Sequence, residues 1–177
     1  MALVKPTKSI TINDFKNILK CKMHAYLAYG TLADAEIPAT LAALGTLQSS
    51  YFSPLGDLAK DPIEYGWARE TEELHAGKKR GLLNIEGSIK CANVGKDMID
   101  LLDEAGMDGD CTLLFVPFKN PTSPSALNPA KAVVVRGVSI VDNGKGNGNN
   151  KYGEVVLEFN AQPDKIGDSI KILTLTS

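Results

Sequence analysis

A strict alternation of apolar and polar residues constrains this chain more than any other feature. Between Leu82 and Cys91, Leu83, Ile85, Ile89 and Cys91 share one parity, and Asn84, Glu86, Ser88 and Lys90 take the other. Successive side chains of a strand point to opposite faces, so the pattern predicts a strand with one buried and one wet face. It returns from Tyr152 to Ala161, where Val155, Leu157 and Phe159 oppose Glu154, Glu158 and Asn160. Ala132 to Asp142 is rich in β-branched residues and predicts a further strand, as does Ser169 to Thr176. Cys111 to Phe118 differs, because Leu113, Leu114, Phe115 and Val116 are apolar on both parities. In a mainly antiparallel protein such a strand is either central or part of an interface.

One segment breaks this period. Val94, Met98, Leu101, Leu102 and Ala105 fall on one helical stripe, with Asp97, Asp100, Asp103 and Glu104 opposite and Gly106 placed as a left-handed C-cap. Lys20 to Tyr29 predicts a strand with Cys21, Met23, Ala25, Leu27 and Tyr29 on one face. Residues 33–66 hold Pro38, Pro54, Gly56 and Pro62 and keep no steady period, so they read as a long loop. The predicted fold is mainly β. Two packed antiparallel sheets, a β-sandwich or partial barrel, carry a flanking amphipathic α-helix at about 94–105 and long loops. Residues 1–177 form a single domain with an N-terminal arm over about 1–20.

Chemistry is sparse. The histidines are His24, in an apolar run, and His75, in a polar turn; neither has a companion at metal-ligand spacing. Cys21, Cys91 and Cys111 are odd in number and widely spaced, which predicts reduced thiols rather than a disulfide framework. Gly95-Lys96 lacks the glycine and hydroxyl residues of a phosphate loop, and the glycines at 144, 146 and 148 precede no helix. The carboxylates from Asp97 to Asp110 lack the order of a calcium loop and read as a solvated face. Lys78-Lys79-Arg80 reads as a solvated turn. No cofactor, no metal and no catalytic residue is predicted, and the expectation is a protein that is not an enzyme. A formal net charge of −2 gives no general attraction to nucleic acid or anionic membranes. The longest apolar runs are too short to span a bilayer, and the N-terminus has no signal-peptide pattern.

The segment Arg69-Glu70-Thr71-Glu72-Glu73-Leu74-His75-Ala76-Gly77, then a strand, a short amphipathic helix and two strands joined by long loops, is similar to the tail tube proteins of long-tailed bacteriophages. So is the pair of strands at Val133–Val141 and Tyr152–Ala161, where a hairpin ends the domain. The resemblance runs over residues 45 to 166 as a layout; the stretch up to Tyr51 and the Gly/Asn-rich loop at 143–150 depart from it.

The resemblance implies a virion protein, made in the host cytoplasm, whose hexameric rings close sheet edge to sheet edge and stack into a tail tube. Its partners would be further copies of itself, other tail proteins and double-stranded DNA in transit, with no membrane. Open edges need pairing or cover, which ring closure supplies. Candidate inter-subunit residues are Leu41, Leu44, Leu47, Tyr51, Phe52 and Leu55, too apolar together for a solvated loop, with Leu114 and Val116 from the doubly apolar strand. A basic bore would hold phosphates back, so Glu154 and Glu158 are candidate lumen-facing residues. Lys90 and Arg136 are expected near subunit boundaries, paired with carboxylates. Related readings are a tail terminator, a decoration protein or a type VI secretion tube subunit. A reading of another class, a small-ligand-binding β domain, predicts a pocket lined by aromatic side chains.

Overall fold

The alternating segments become strands because each can bury its apolar parity against a second layer. The computed structural model describes residues 2–8, 23–56, 58–74, 77–92, 96–117, 128–145 and 154–176, with backbone alone at 59–62 and 145. In chain order the elements are β1 (Met23–Tyr29), α1 (Leu41–Tyr51), β2 (Ser53–Pro54), β3 (Leu58–Leu74), β4 (Gly77–Ala92) and α2 (Lys96–Leu102). They continue with β5 (Cys111–Pro117), β6 (Val133–Lys145), β7 (Glu154–Ala161), α3 (Ile166–Ser169) and β8 (Ile170–Ile172). The fold is mainly β, as expected. Among the described residues one antiparallel sheet runs β2-β1-β5-β6-β7-β4-β3, and β8 also pairs with β6.

The sheet folds on itself at β6. The first part of β6 pairs with β5 and β8, and the part from Ser139 onward pairs with β7. Gly137 marks the change. Cys111 pairs with Val138 and Thr112 with Arg136, so Gly137 is an extra residue in the strand, held at φ 64°. A left-handed glycine at a bulge bends and twists its strand, which here lets β6 leave one half of the sheet for the other.

The main core lies between the halves. Ala25, Leu27, Leu113, Phe115 and Val135 from the first half meet Ile85, Ile89, Leu157 and Phe159 from the second, with Met98 and Leu101 of α2. Leu83, on the apolar parity of β4, is buried without joining this cluster, and Leu102, on the apolar stripe of the helix, packs at its margin. A second cluster covers the outer face of the first half. Tyr26, Ala28, Leu114, Val116 and Val134 are capped there by Leu44, Phe52, Leu3 and Leu173. The double apolarity of β5 is therefore satisfied within one chain, because β5 is a central strand covered on both faces.

Several expectations are corrected. Residues 33–66 are not a long loop: they hold α1, β2 and the start of β3. The Thr40 hydroxyl caps α1 by accepting from the Ala43 amide at 3.1 Å. Pro62 falls within β3 because β3 is an edge strand, where a missing N–H costs no ladder bond. The helix predicted at 94–105 ends at Leu102, and a 3-10 turn takes Ala105–Asp108. Gly106 is not a left-handed cap. It is needed because a Cβ there would lie 2.2 Å from the Tyr29 ring. The last predicted strand, 169–176, forms a ladder only over Ile170–Ile172; Leu173 then turns into the second cluster, and Thr176 makes a single bridge to Thr40. Lys78, Lys79 and Arg80 lie in β4, not in a turn. Cys21, His75, Val94 and Gly95, the glycines at 146 and 148, and most of the predicted arm lie outside the described residues.

Candidate interaction surfaces

The wet face of the second half is built by register. On β4, Ser88 stands between Glu64 of β3 and Glu158 of β7, while Glu86 stands between Gly66 and Asn160. These six residues line an open concavity of about 610 Å³. Glu154 continues the same parity along β7, and both Glu154 and Glu158 are exposed. Lys90 brings a positive charge to this face and pairs with Glu64 at 3.8 Å. The face is thus rich in carboxylates; Lys90 is paired, and Lys145 of β6 stands opposite Glu154 by register.

Arg136 behaves differently from expectation. It is paired with a carboxylate, Asp34, but it is only 6% exposed and sits inside the fold. Its Nε donates to the Asp168 carbonyl and one terminal nitrogen to the Leu32 carbonyl, both at 2.7 Å; the other donates to Asp34 Oδ1. Lys171 also reaches Asp34, at 3.3 Å. The hydrogen bonds from Arg136 and then Lys171 hold the Asp34 carboxyl below its ordinary range. Arg136 is therefore a structural tie between β6, the segment after β1 and α3.

A second polar node fastens the N-terminal residues. Glu104 accepts from the Thr7 amide at 3.1 Å, the Thr7 hydroxyl at 2.6 Å, the Lys8 amide at 2.7 Å and the Tyr29 hydroxyl at 2.8 Å. Lys8 adds an ion pair to Asp100 at 3.7 Å, and Val4 pairs with Tyr29 through two 2.9 Å backbone bonds. Burial works to raise the Glu104 pKa, but the bonds from Thr7, Tyr29 and the Thr7 and Lys8 amides prevail and hold it below 4.5. A depressed folded-state pKa stabilises the strap above the unfolded value of 4.5, and that contribution is lost as pH falls through the folded value. We expect the Val4 amide to be protected from hydrogen exchange at neutral pH, and the Glu104→Ala variant to lose that protection. Equal protection in both proteins would show that Glu104 does not hold the strap.

The predicted contact residues divide. Leu44, Phe52, Leu55, Leu114 and Val116 are all buried within the single chain, so the expectation that they meet a second copy is corrected. Their apolar character is used by the chain's own cores. Leu47 is half-buried, whereas Leu41 and Tyr51 are exposed at the two ends of α1. The sequence leads Ile63 to Leu74 back into the sheet, which they join as β3, but the hairpin of β3 with β4 was overlooked. Trp67 is 56% exposed, Leu82 58%, and Leu74 is uncovered. The alternation of Ile63, Tyr65 and Trp67 was the signal for it.

No site for covalent or metal chemistry is assembled by the described residues. His24 is buried beside Tyr26, with ring centroids 6.2 Å apart. Burial pushes the Cys91 thiol up to about 12; burial, helped by the charge of Asp110, does the same for Cys111. Both are therefore protonated at neutral pH and poor nucleophiles. Among the described residues no group of three His, Cys, Asp or Glu side chains could hold a metal ion, and no helix is long and apolar enough to cross a membrane. Neither a protein-family model nor a curated protein sequence matches the chain.

Proposed function

We propose that this chain is the subunit of a self-assembling tube, of the kind that tail tube proteins of long-tailed phages form, and that its role is structural. The observation that carries this reading is the free edge of β3. This strand has 17 residues, pairs with β4 on one side and has no partner on the other among the described residues. A long unpaired edge is a template for pairing with another chain. The exposed edge of β8, which carries Ile172, gives a second strand to pair with. Two unlike edges on one subunit favour head-to-tail closure into a ring.

The acidic face supports the same reading. A tube that passes double-stranded DNA works best with a bore that does not bind phosphate. With Glu64, Glu86, Glu154 and Glu158 exposed on one face of β3, β4 and β7, that face is suited to line such a bore. The ligand-binding reading is less well served, since the concavity on this face is lined mainly by carboxylate, amide and glycine residues.

The test is electron microscopy of the purified protein at rising concentration. We expect rings and stacked tubes, with Glu154 and Glu158 on the inner wall. Protein that stays monomeric would overturn the reading. Single rings that never stack, or oligomers that assemble only on a capsid, would replace it with a terminator or decoration role. A bore lined by unpaired Lys and Arg would overturn the transit argument.

A further inference from the structure

Past the body of the sheet, β3 and β4 run on together as an arm. Residues 70–74 on one limb and 77–80 on the other are all exposed. Both outer edges of the arm are open among the described residues. β3 is the last strand of the sheet, and β7 pairs with β4 only at residues 85–92. Backbone N–H and C=O groups therefore face outward along each limb, where a further strand could pair with them. Two strands alone are marginal in water, so such pairing would also steady the arm.

The two limbs carry opposite charge. On β3, residues 70–74 hold Glu70, Glu72 and Glu73 and no base; on β4, residues 77–82 hold Lys78, Lys79 and Arg80 and no acid. Arg69, the nearest base on the β3 limb, is turned towards β4, where its Nη1 donates to the Gly81 carbonyl at 3.3 Å. Register sets Glu72 opposite Lys79 and Glu73 opposite Lys78, the second as a 3.7 Å ion pair. Both side chains of that pair stay mostly exposed, so each can take a second partner.

We propose that the arm joins the arm of a second copy edge to edge, the acidic limb of one against the basic limb of the next. This rests on the tube reading and names the partner for the arm end of the β3 edge. Charge selects this pairing from the alternatives. β3 on β3 would set Glu70, Glu72 and Glu73 against their own kind, and β4 on β4 would do the same with Lys78, Lys79 and Arg80. Like charges directly across a strand pair destabilise it, and opposite charges stabilise it. With the arms side by side, β3 on β4 continues the antiparallel order, and the register of the hairpin recurs between copies. Glu72 then lies between two copies of Lys79, and Glu73 between two of Lys78. The two sides of this contact are unlike, so it repeats from copy to copy and closes as a ring or continues as a filament.

The test follows association by sedimentation velocity in two charge-reversed proteins. One carries Glu72→Lys with Glu73→Lys, the other Lys78→Glu with Lys79→Glu. Each alone brings like charges to every arm junction, and we expect it to associate at least about tenfold more weakly than the parent. Mixed in equal amounts, the two should associate again, because the basic arm of one meets the acidic arm of the other. That recovery separates a contact between copies from an effect inside one arm, since mixing does not repair a hairpin weakened by its own reversed charges. Circular dichroism checks that the body of each variant is folded. Reversed proteins that assemble as well as the parent, or a mixture that does no better than its components, would overturn the arm contact and leave the tube reading standing. A parent protein that never associates would overturn both.

Discussion

Replacing Arg136 by alanine should destabilise the protein by about 2–4 kcal/mol, read from the shift in denaturant midpoint at constant slope. The magnitude comes from what the side chain leaves behind. Two backbone carbonyls, of Leu32 and Asp168, accept from it at 2.7 Å, and each loses its donor. A buried polar group left without a partner costs about 1–3 kcal/mol, reduced where water can enter. The ion pair contributes less, because Asp34 is mostly exposed and its charge returns to solvent. Asp34→Asn should therefore cost far less than Arg136→Ala. Arg136→Lys should fall between them, since one ammonium cannot serve three diverging acceptors in the way a guanidinium fork does. If Asp34→Asn and Arg136→Ala cost the same, the ion pair rather than the carbonyls is the main contribution.

The strands were legible where one face is wet. β4 and β7 alternate cleanly because their outer parity faces water, and their inner residues are the ones found in the core. β1 was legible from the apolar run of one parity, although neither of its faces is wet: its second parity, with Tyr26 and Ala28, is buried by α1 and the N-terminal strap. That cover also explains β5, whose doubly apolar pattern cannot by itself separate a central strand from an interface strand. The helix α1 was hard to see because it lacks an amphipathic stripe. It buries Leu44 and half-buries Leu47, while the rest of its surface is small and uncharged. Pro54 and Pro62 made the region look like loop, yet one lies in the two-residue strand β2 and the other in an edge strand. Arg136 is a different case. Nothing in the local pattern Val135-Arg136-Gly137 announces that the guanidinium turns inward, because its acceptors come from Leu32, Asp34 and Asp168, distant in sequence. The same is true of Glu104, which reads as one carboxylate of a solvated helix face until the strap closes on it. Counting apolar residues in 41–55 could not separate those buried inside the fold from those left outside it.

The second large effect is expected at Leu101. It is fully buried in the main cluster, and truncation to alanine should cost on the order of 2–5 kcal/mol through lost transfer energy and the cavity left behind. Its neighbour Ile99 is exposed, and Ile99→Ala should change stability by less than about 0.5 kcal/mol. The contrast has a structural reason. At seven residues α2 is too short to persist alone, so it exists because Met98 and Leu101 anchor it to the sheet. The N-terminal strap depends on that anchor too. Asp100 and Glu104 hold Lys8 and Thr7, so loosening the helix should release the strap as well. Hydrogen exchange can separate the two consequences. In Leu101→Ala, protection at Val4 should fall by more than the loss of global stability accounts for, whereas protection in β7 should fall only by the global amount. A cost below about 0.5 kcal/mol would place Leu101 outside the core. A uniform loss of protection would mean that strap and helix are not coupled through α2.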